Sequence, residues 1–319
     1  MYRLLAVLLL AGATAPANAQ TYPAKPIRMI VGSAAGGPID FVARLTAQKL
    51  TEALGQSAVV ENRTGAGGTI GTEYVAKAAP DGHTLLMASA ATLCIAPSLY
   101  PKLPYDSLKD FAPVSTVASA AFVLVVHPSV PVKSVREFIA LAKSRPAQLR
   151  FGSAGSGSVT HLAAELFRSM AGVDLVHVPY KGAAPAMIDL IGGHLDFMFD
   201  SVLTSMPHVR AGKLRALAAA AAARSAVMPE LPTVAESGLP GFEASTWFGV
   251  VAPAATPREV IAKLNAAIVK GMTSAEMTER LLAQGLAPLG NTPEQFAQLM
   301  RDELRKWAKV VALSGAKVD

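Results

Sequence analysis

Cysteine is nearly missing: Cys94 stands alone in 319 residues, so no intramolecular disulfide can form and the core must hold the fold. Charge is also scarce. Asp, Glu, Lys and Arg supply 16% of the chain, against roughly a quarter in an average soluble protein. Aromatics are only 6%, so the 51% hydrophobic content comes from alanine and aliphatic residues and fits a globule with alanine-rich helices. The net charge of +6 is spread out, with no block of Lys or Arg and no aromatics between them, which argues against a nucleic-acid partner. A diffuse positive balance suits anionic solutes.

Catalytic and cofactor motifs are missing as well. Gly212-Lys213 is followed by Leu214, so there is no phosphate-binding G-x-x-x-x-G-K-S/T loop. The stretches starting at Gly65 and Gly155 both lack the last glycine of a dinucleotide fingerprint, and no serine sits in G-x-S-x-G. The six histidines are scattered, without H-E-x-x-H or a close pair, and no metal or cofactor is expected. Beyond the N-terminus no apolar run reaches the 18 or so residues of a membrane helix. The N-terminus itself reads as a secretory leader: Arg3, the apolar stretch Leu4 to Ala13, and a small-residue site at Ala17-Asn18-Ala19. Cleavage after Ala19 would deliver a soluble mature protein to the periplasm, starting at Gln20. No cysteine follows the cleavage site, which argues against a lipid anchor. Cys94 lies in an apolar stretch and reads as a buried, inert thiol.

What is present is an alternation of short β-branched runs with longer helical ones, the pattern of parallel βαβ units. Strands are expected at Ile27–Val31, Ala58–Glu61, Thr84–Ala88, Phe122–Val126, Phe151–Gly152, Leu175–Val178, Phe197–Phe199 and Ser245–Val251. Helices are expected at Ile39–Leu54, Ser134–Lys143, Thr160–Ala171 and Ala183–Ile191, with two or three more at the C-terminus. S/T-x-x-E/Q boxes mark helix starts at Ser134 with Glu137, Thr256 with Glu259, and Thr292 with Gln295, with Pro257 and Pro293 at the first helical position.

An internal echo is the most informative feature. Gly32-Ser33-Ala34-Ala35-Gly36-Gly37 follows the first strand and opens a helix, and Gly152-Ser153-Ala154-Gly155-Ser156-Gly157 does the same in the second half. Glycines let a ligand approach the backbone, and free N–H groups at a helix start attract negative charge. Ser153, Ser156, Ser158 and Thr160 add small donors. Two such loops imply two α/β lobes with a cleft at the carboxyl ends of their strands. Ser33, Gly36, Gly37, Pro38, Ser89 and Thr92 fall at strand ends of the first lobe. Asp40 either complements the helix dipole or touches the ligand. His161 reads as a capping or cleft residue, Lys181 as a turn or ligand lysine, and Asp200 as a cap or an acceptor for the ligand. Three functions fit: a solute receptor, a ligand sensor docking on a signalling partner, and, more remotely, a secreted hydrolase using a hydroxyl of the Ser153–Thr160 loop with His161 as base.

Several of these stretches together resemble the Bug-type receptors, periplasmic solute-binding proteins related to tripartite tricarboxylate transporters. They include Tyr22-Pro23, Gly36-Gly37-Pro38-x-Asp40, Glu61-Asn62-Arg63-x-Gly65-Ala66-Gly67-Gly68 and Ala78-x-Pro80-Asp81-Gly82-x-Thr84. In the second half they include Gly152-Ser153-x-Gly155-x-Gly157, His161-Leu162-Ala163, Val178-Pro179-Tyr180-Lys181-Gly182, Leu231-Pro232-Thr233-x-x-Glu236 and Trp247-x-Gly249. The resemblance implies a type II periplasmic-binding fold of two α/β lobes, residues 20–121 plus 248–319 and residues 122–247. It also implies a receptor that delivers a small organic carboxylate to a membrane permease; the protein is expected to be a monomer and to perform no chemistry on its solute. By family, main-chain groups and waters from both lobes hold the carboxylate, which points to Gly36, Gly37, Pro38 and Asp40 on one side and Ser153, Ser156, Ser158 and Thr160 on the other. This chain departs at Ile39, where relatives commonly carry a small hydroxyl, and at Ser158-Val159, where Thr-Pro is frequent.

Overall fold

The computed structural model describes residues 22–224 and 228–316, so the leader and its cleavage site lie outside the described residues. The chain begins with β1 (Ile27–Val31), α1 (Pro38–Leu54), β2 (Ala58–Asn62), α2 (Thr69–Ala76), β3 (Thr84–Ser89), a π-turn (Ala91–Ile95) running into α3 (Ala96–Leu99), and β4 (Phe111–Ala120). It crosses at Ala121 into β5 (Phe122–Val126), α4 (Val135–Ser144), β6 (Arg150–Ser153), α5 (Val159–Ala171), β7 (Val176–Pro179), α6 (Ala183–Ile191), β8 (Phe197–Ser201), α7 (Val202–Arg210) and β9 (Arg215–Ala219). It then returns to β10 (Thr246–Pro253), α8 (Arg258–Met272), α9 (Ala275–Leu282), β11 (Leu286–Pro288) and α10 (Pro293–Ser314).

Two sheets result, ordered β11-β4-β10-β3-β1-β2 and β7-β6-β8-β5-β9. They are mixed: the parallel βαβ units expected from the sequence are present, and antiparallel strands join them. β1 pairs in parallel with β2 and β3, and β6 with β7 and β8. β10 runs antiparallel to β3 and β4, and β5 antiparallel to β8 and β9. The reversal has a topological cause: β5 and β10 arrive from the other sheet rather than over a crossover helix of their own, so nothing imposes the parallel sense on them.

Both faces of each sheet are apolar, as sheets covered on two sides must be. Period-two alternation divides the strand residues between layers. Met29, Val31, Leu85 and Met87 enter one layer with α1 and α8, while Ile30, Leu86 and Ala88 enter a second. That second layer also receives Leu124, Val126, Phe197 and Phe199 from the other sheet, while Val123, Val125 and Met198 enter a third. The middle layer is thus common to both lobes. Helix α10 joins them directly, packing against β4 and the π-turn on one side and α5 on the other.

Helix starts follow the boxes unevenly. Thr292 and Gln295 exchange both bonds, at 3.3 and 3.0 Å, with Pro293 at the first helical position. Ser134 accepts from the Glu137 N–H at 3.2 Å, but the Glu137 carboxylate takes the Lys133 N–H instead, so only half the box forms. The box expected at Thr256 does not form. Its hydroxyl turns back to donate to the Pro253 carbonyl at 2.7 Å, and Pro257 is the cap of α8 rather than its first residue.

Gly249 of β10 is required by packing: a β-carbon there would lie 2.5 Å from Cζ of Phe296, whose ring meets Trp247 edge-on at 5.0 Å. Phe296 is fully buried in the shared layer. Phe296→Ala is therefore expected to cost about 3–5 kcal/mol in urea unfolding. A loss below about 1 kcal/mol would contradict this account of how α10 is anchored.

Candidate functional site

The loop after β1 is shaped by one carboxylate. Gly36 adopts a left-handed φ of +89°, and its N–H donates to Asp40 Oδ2 at 3.0 Å. Asp40 also accepts from Arg44 Nε at 2.9 Å, Arg44 Nη2 at 3.1 Å and Asn62 Nδ2 at 2.9 Å. Burial alone would raise its pKa, but these donors outweigh burial and hold it below the ordinary carboxylate value. Asp40 is 3% exposed and its acceptors are spent within the protein, so it sets the loop in place. Gly37 has φ −82° with open space beside its Cα, and Pro38 begins α1. The first helical bond runs from Phe41 N–H to the Gly37 carbonyl, so the Ile39 and Asp40 N–H groups have no acceptor within the helix.

The loop after β6 is more self-contained. The Ala154, Gly155 and Gly157 N–H groups donate to Thr160 Oγ1 (2.9 Å), Ser153 Oγ (3.1 Å) and His161 Nδ1 (3.0 Å). Ser158 caps α5, accepting from the His161 N–H at 3.2 Å while its hydroxyl donates to the Gly155 carbonyl at 2.6 Å. Three residues expected at the ligand, Ser153, Thr160 and His161, thus serve chiefly to fix the turn. Ser156 is left as the exposed tip, with no hydrogen bond to its N–H or hydroxyl.

Two adjoining hollows lie beside these loops and share Gly67 and Ala91 as walls. One, of about 240 Å³, bridges the lobes: Ala154 to Val159 face Ile95, Leu99 and Tyr100. The other, of about 510 Å³, belongs to the first lobe and takes in Ser33, Ser89 and Thr92 together with Ile39, Leu86 and Phe248. The structure therefore brings Ser33, Ser89, Thr92, Ser156 and Ser158 to neighbouring walls. Gly36, Gly37 and Pro38 line neither hollow. Lys181 is exposed and Asp200 is buried, both outside them. Burial raises the Asp200 carboxyl pKa, while Thr204 and the Ser205 hydroxyl, at 3.1 Å, donate to it; it anchors the start of α7.

Sequence reasoning did not place the Gly65–Gly68 run at the cleft, and it named Thr92 without foreseeing the π-turn that carries it. Gly65, Gly67 and Gly68 all have positive φ, and a β-carbon on Gly68 would meet Thr92 at 2.9 Å. The run of glycines was the available signal. The π-turn has no glycine to announce it; the Tyr105 hydroxyl steadies it with a 2.6 Å bond to the Thr92 carbonyl.

A close histidine pair, absent from the sequence reading, forms through tertiary packing. His161 and His177 stack at 3.9 Å between ring centroids, and His177 Nε2 lies 2.6 Å from Ser153 Oγ. His161 instead faces Glu165 at 3.6 Å, so it is not placed as a base for a loop hydroxyl. Ser153 is fully buried, which keeps its oxygen from any substrate. Burial, then the neighbouring His161, lowers the His177 pKa from 6.5 to about 4. The unfolded chain therefore binds more protons than the folded one between these values, and stability present above pH 6.5 is lost as pH falls toward 4. The slope from this group is at most about 1.4 kcal/mol per pH unit. His177→Gln should flatten the melting-temperature profile over that window relative to the parent; parallel profiles would contradict the assignment.

Known proteins share this architecture. "Protein BugT" of Bordetella pertussis is 43% identical over 323 residues, covering 100% of this chain and 99% of its own. The structure of R. palustris Rpa4515 with adipate superposes with a TM-score of 0.79 at 37% identity, covering 93% of this chain and all of that one. MatC from Rhodopseudomonas palustris with bound malate gives 0.75 at 37% identity, covering 91% of this chain and all of its own. These folds agree with the two α/β lobes described above, and residues 42–315 match the model of the tripartite tricarboxylate transporter family receptor. The chain belongs to that receptor family.

Proposed function

We propose that this protein is the periplasmic receptor of a tripartite tricarboxylate-type uptake system and closes its lobes on a small carboxylate without altering it. The observation that carries the reading is the hollow in which Ser156 and Ser158 of one lobe face the π-turn and Gly67 of the other. Free amides at the start of α1 and at Ser156, joined by small hydroxyls, suit a carboxylate because charge-assisted bonds to fixed donors need little rearrangement. Solute contacts to both lobes would favour the closed form over the open one. Relatives solved with adipate and malate support the same ligand chemistry. The lobes are taken as residues 20–121 plus 248–319 and residues 122–247, with the leader removed after Ala19. The mature protein acts as a monomer and hands its solute to a permease in the cytoplasmic membrane.

Gly37→Val is a clean probe, because its φ of −82° suits any residue and a β-carbon meets nothing within 4 Å. The melting temperature should fall by no more than a few degrees, since Gly37 is the N-cap of α1 and valine caps a helix less well than glycine. Affinity for whichever carboxylate a thermal-shift screen identifies should fall at least about tenfold by calorimetry, because the new side chain obstructs the approach to the α1 amides. Unchanged affinity would remove α1 from the site, and a screen of mono-, di- and tricarboxylates without any shift would overturn the reading.

A further inference from the structure

The walls of the two hollows are mostly hydrocarbon. Ile39, Leu86 and Phe248 line the first-lobe hollow, and Ile95, Leu99 and Val159 line the bridging one. Among the described residues, no Asp, Glu, His, Lys or Arg side chain lines either space. Several of the hydroxyls present have already given away their protons. Thr72 donates to the Gly68 carbonyl at 3.0 Å, Thr92 to Ser89 at 3.2 Å, Tyr100 to Ala66 at 3.1 Å and Ser158 to Gly155 at 2.6 Å. The remaining hydroxyls, Thr64, Ser89 and Ser156, with the nearby loop amides, are enough to solvate one carboxylate.

We propose that the solute is an amphiphilic monocarboxylate, its anionic end on the loop donors and its hydrocarbon body against Ile39, Phe248 and Leu99. This rests on the receptor function proposed above and narrows its ligand. A second carboxylate on the same molecule would lose water on closure and find no cation, and an anion buried without a partner is strongly disfavoured. A methyl or aryl terminus in the same place gains from leaving water. Ile39 is the residue best placed to decide, since it is half-buried at the second position of α1, directly beside the free amides.

The test is calorimetry on the full mature protein with matched pairs, hexanoate against adipate and benzoate against terephthalate. In whichever pair binds, the monocarboxylate should be tighter by at least about tenfold. Ile39→Ser, which adds a donor at a helix start that tolerates serine, should shrink that ratio several-fold, with a cooperative melting transition retained at a somewhat lower temperature because Ile39 packs on the first-lobe core. A dicarboxylate binding as well or better, or a ratio that Ile39→Ser leaves untouched, overturns the inference and leaves a carboxylate receptor standing. No binding by either class in either pair overturns the inference, and failure of the wider carboxylate screen as well overturns the receptor function with it.

Discussion

A helix cannot satisfy its own first amides, and this molecule sets two such helix starts beside adjoining hollows, α1 reaching the first-lobe hollow through Ile39 and the loop before α5 lining the hollow that bridges the lobes. α1 opens after a glycine loop with no side-chain cap, and α5 opens after a serine-capped turn whose tip, Ser156, makes no hydrogen bond of its own and lines the bridging hollow. Much of the surrounding structure holds these two starts rigidly. Asp40, Arg44 and Asn62 brace one loop, and Ser153, His177, Thr160 and His161 brace the other. The two braces differ chemically. One is an ion pair with amide support, the other a stack of imidazoles and hydroxyls, so low pH acts on them in different ways.

The shared core layer explains how two lobes stay in register while a gap remains open between their loops. Strand residues of both sheets enter one apolar layer, and α10 spans it with Phe296 and Trp307 buried. Trp307 Nε1–H reaches Glu303 at 2.7 Å, so the helix interior carries a satisfied polar pair at that point. Near the loops, contact is made through small or slim groups instead. Gly157 approaches Leu99 so closely that a β-carbon there would sit 2.8 Å from the leucine's Cδ1.

Elements with a strong local period were legible in the sequence: β1 and α6 fall where the pattern places them, and α1 begins one residue early because Pro38 suits the first helical position. β4 went unread because Phe111–Ala120 is largely Ala, Ser and Thr with Pro113 inside, and is held as a strand by pairing with β10 on one edge and β11 on the other. β9, Arg215–Ala219, is alanine-rich and becomes a strand through its ladder with β5, helped at its end by a bridge from Ala219 to Thr233. The site divides the same way. Gly-Ser loops at strand ends can be seen from local chemistry. The partners of each hydroxyl cannot, because Ser153 meets a histidine 24 residues away and Gly157 meets a leucine of the other lobe.

A crystal structure of the mature protein with a bound carboxylate tests the central claim most directly. Carboxylate oxygens are expected about 3 Å from N–H groups at the start of α1 and at the Ser156 turn together. A solute held by one lobe alone, or seated away from both loops, would contradict it.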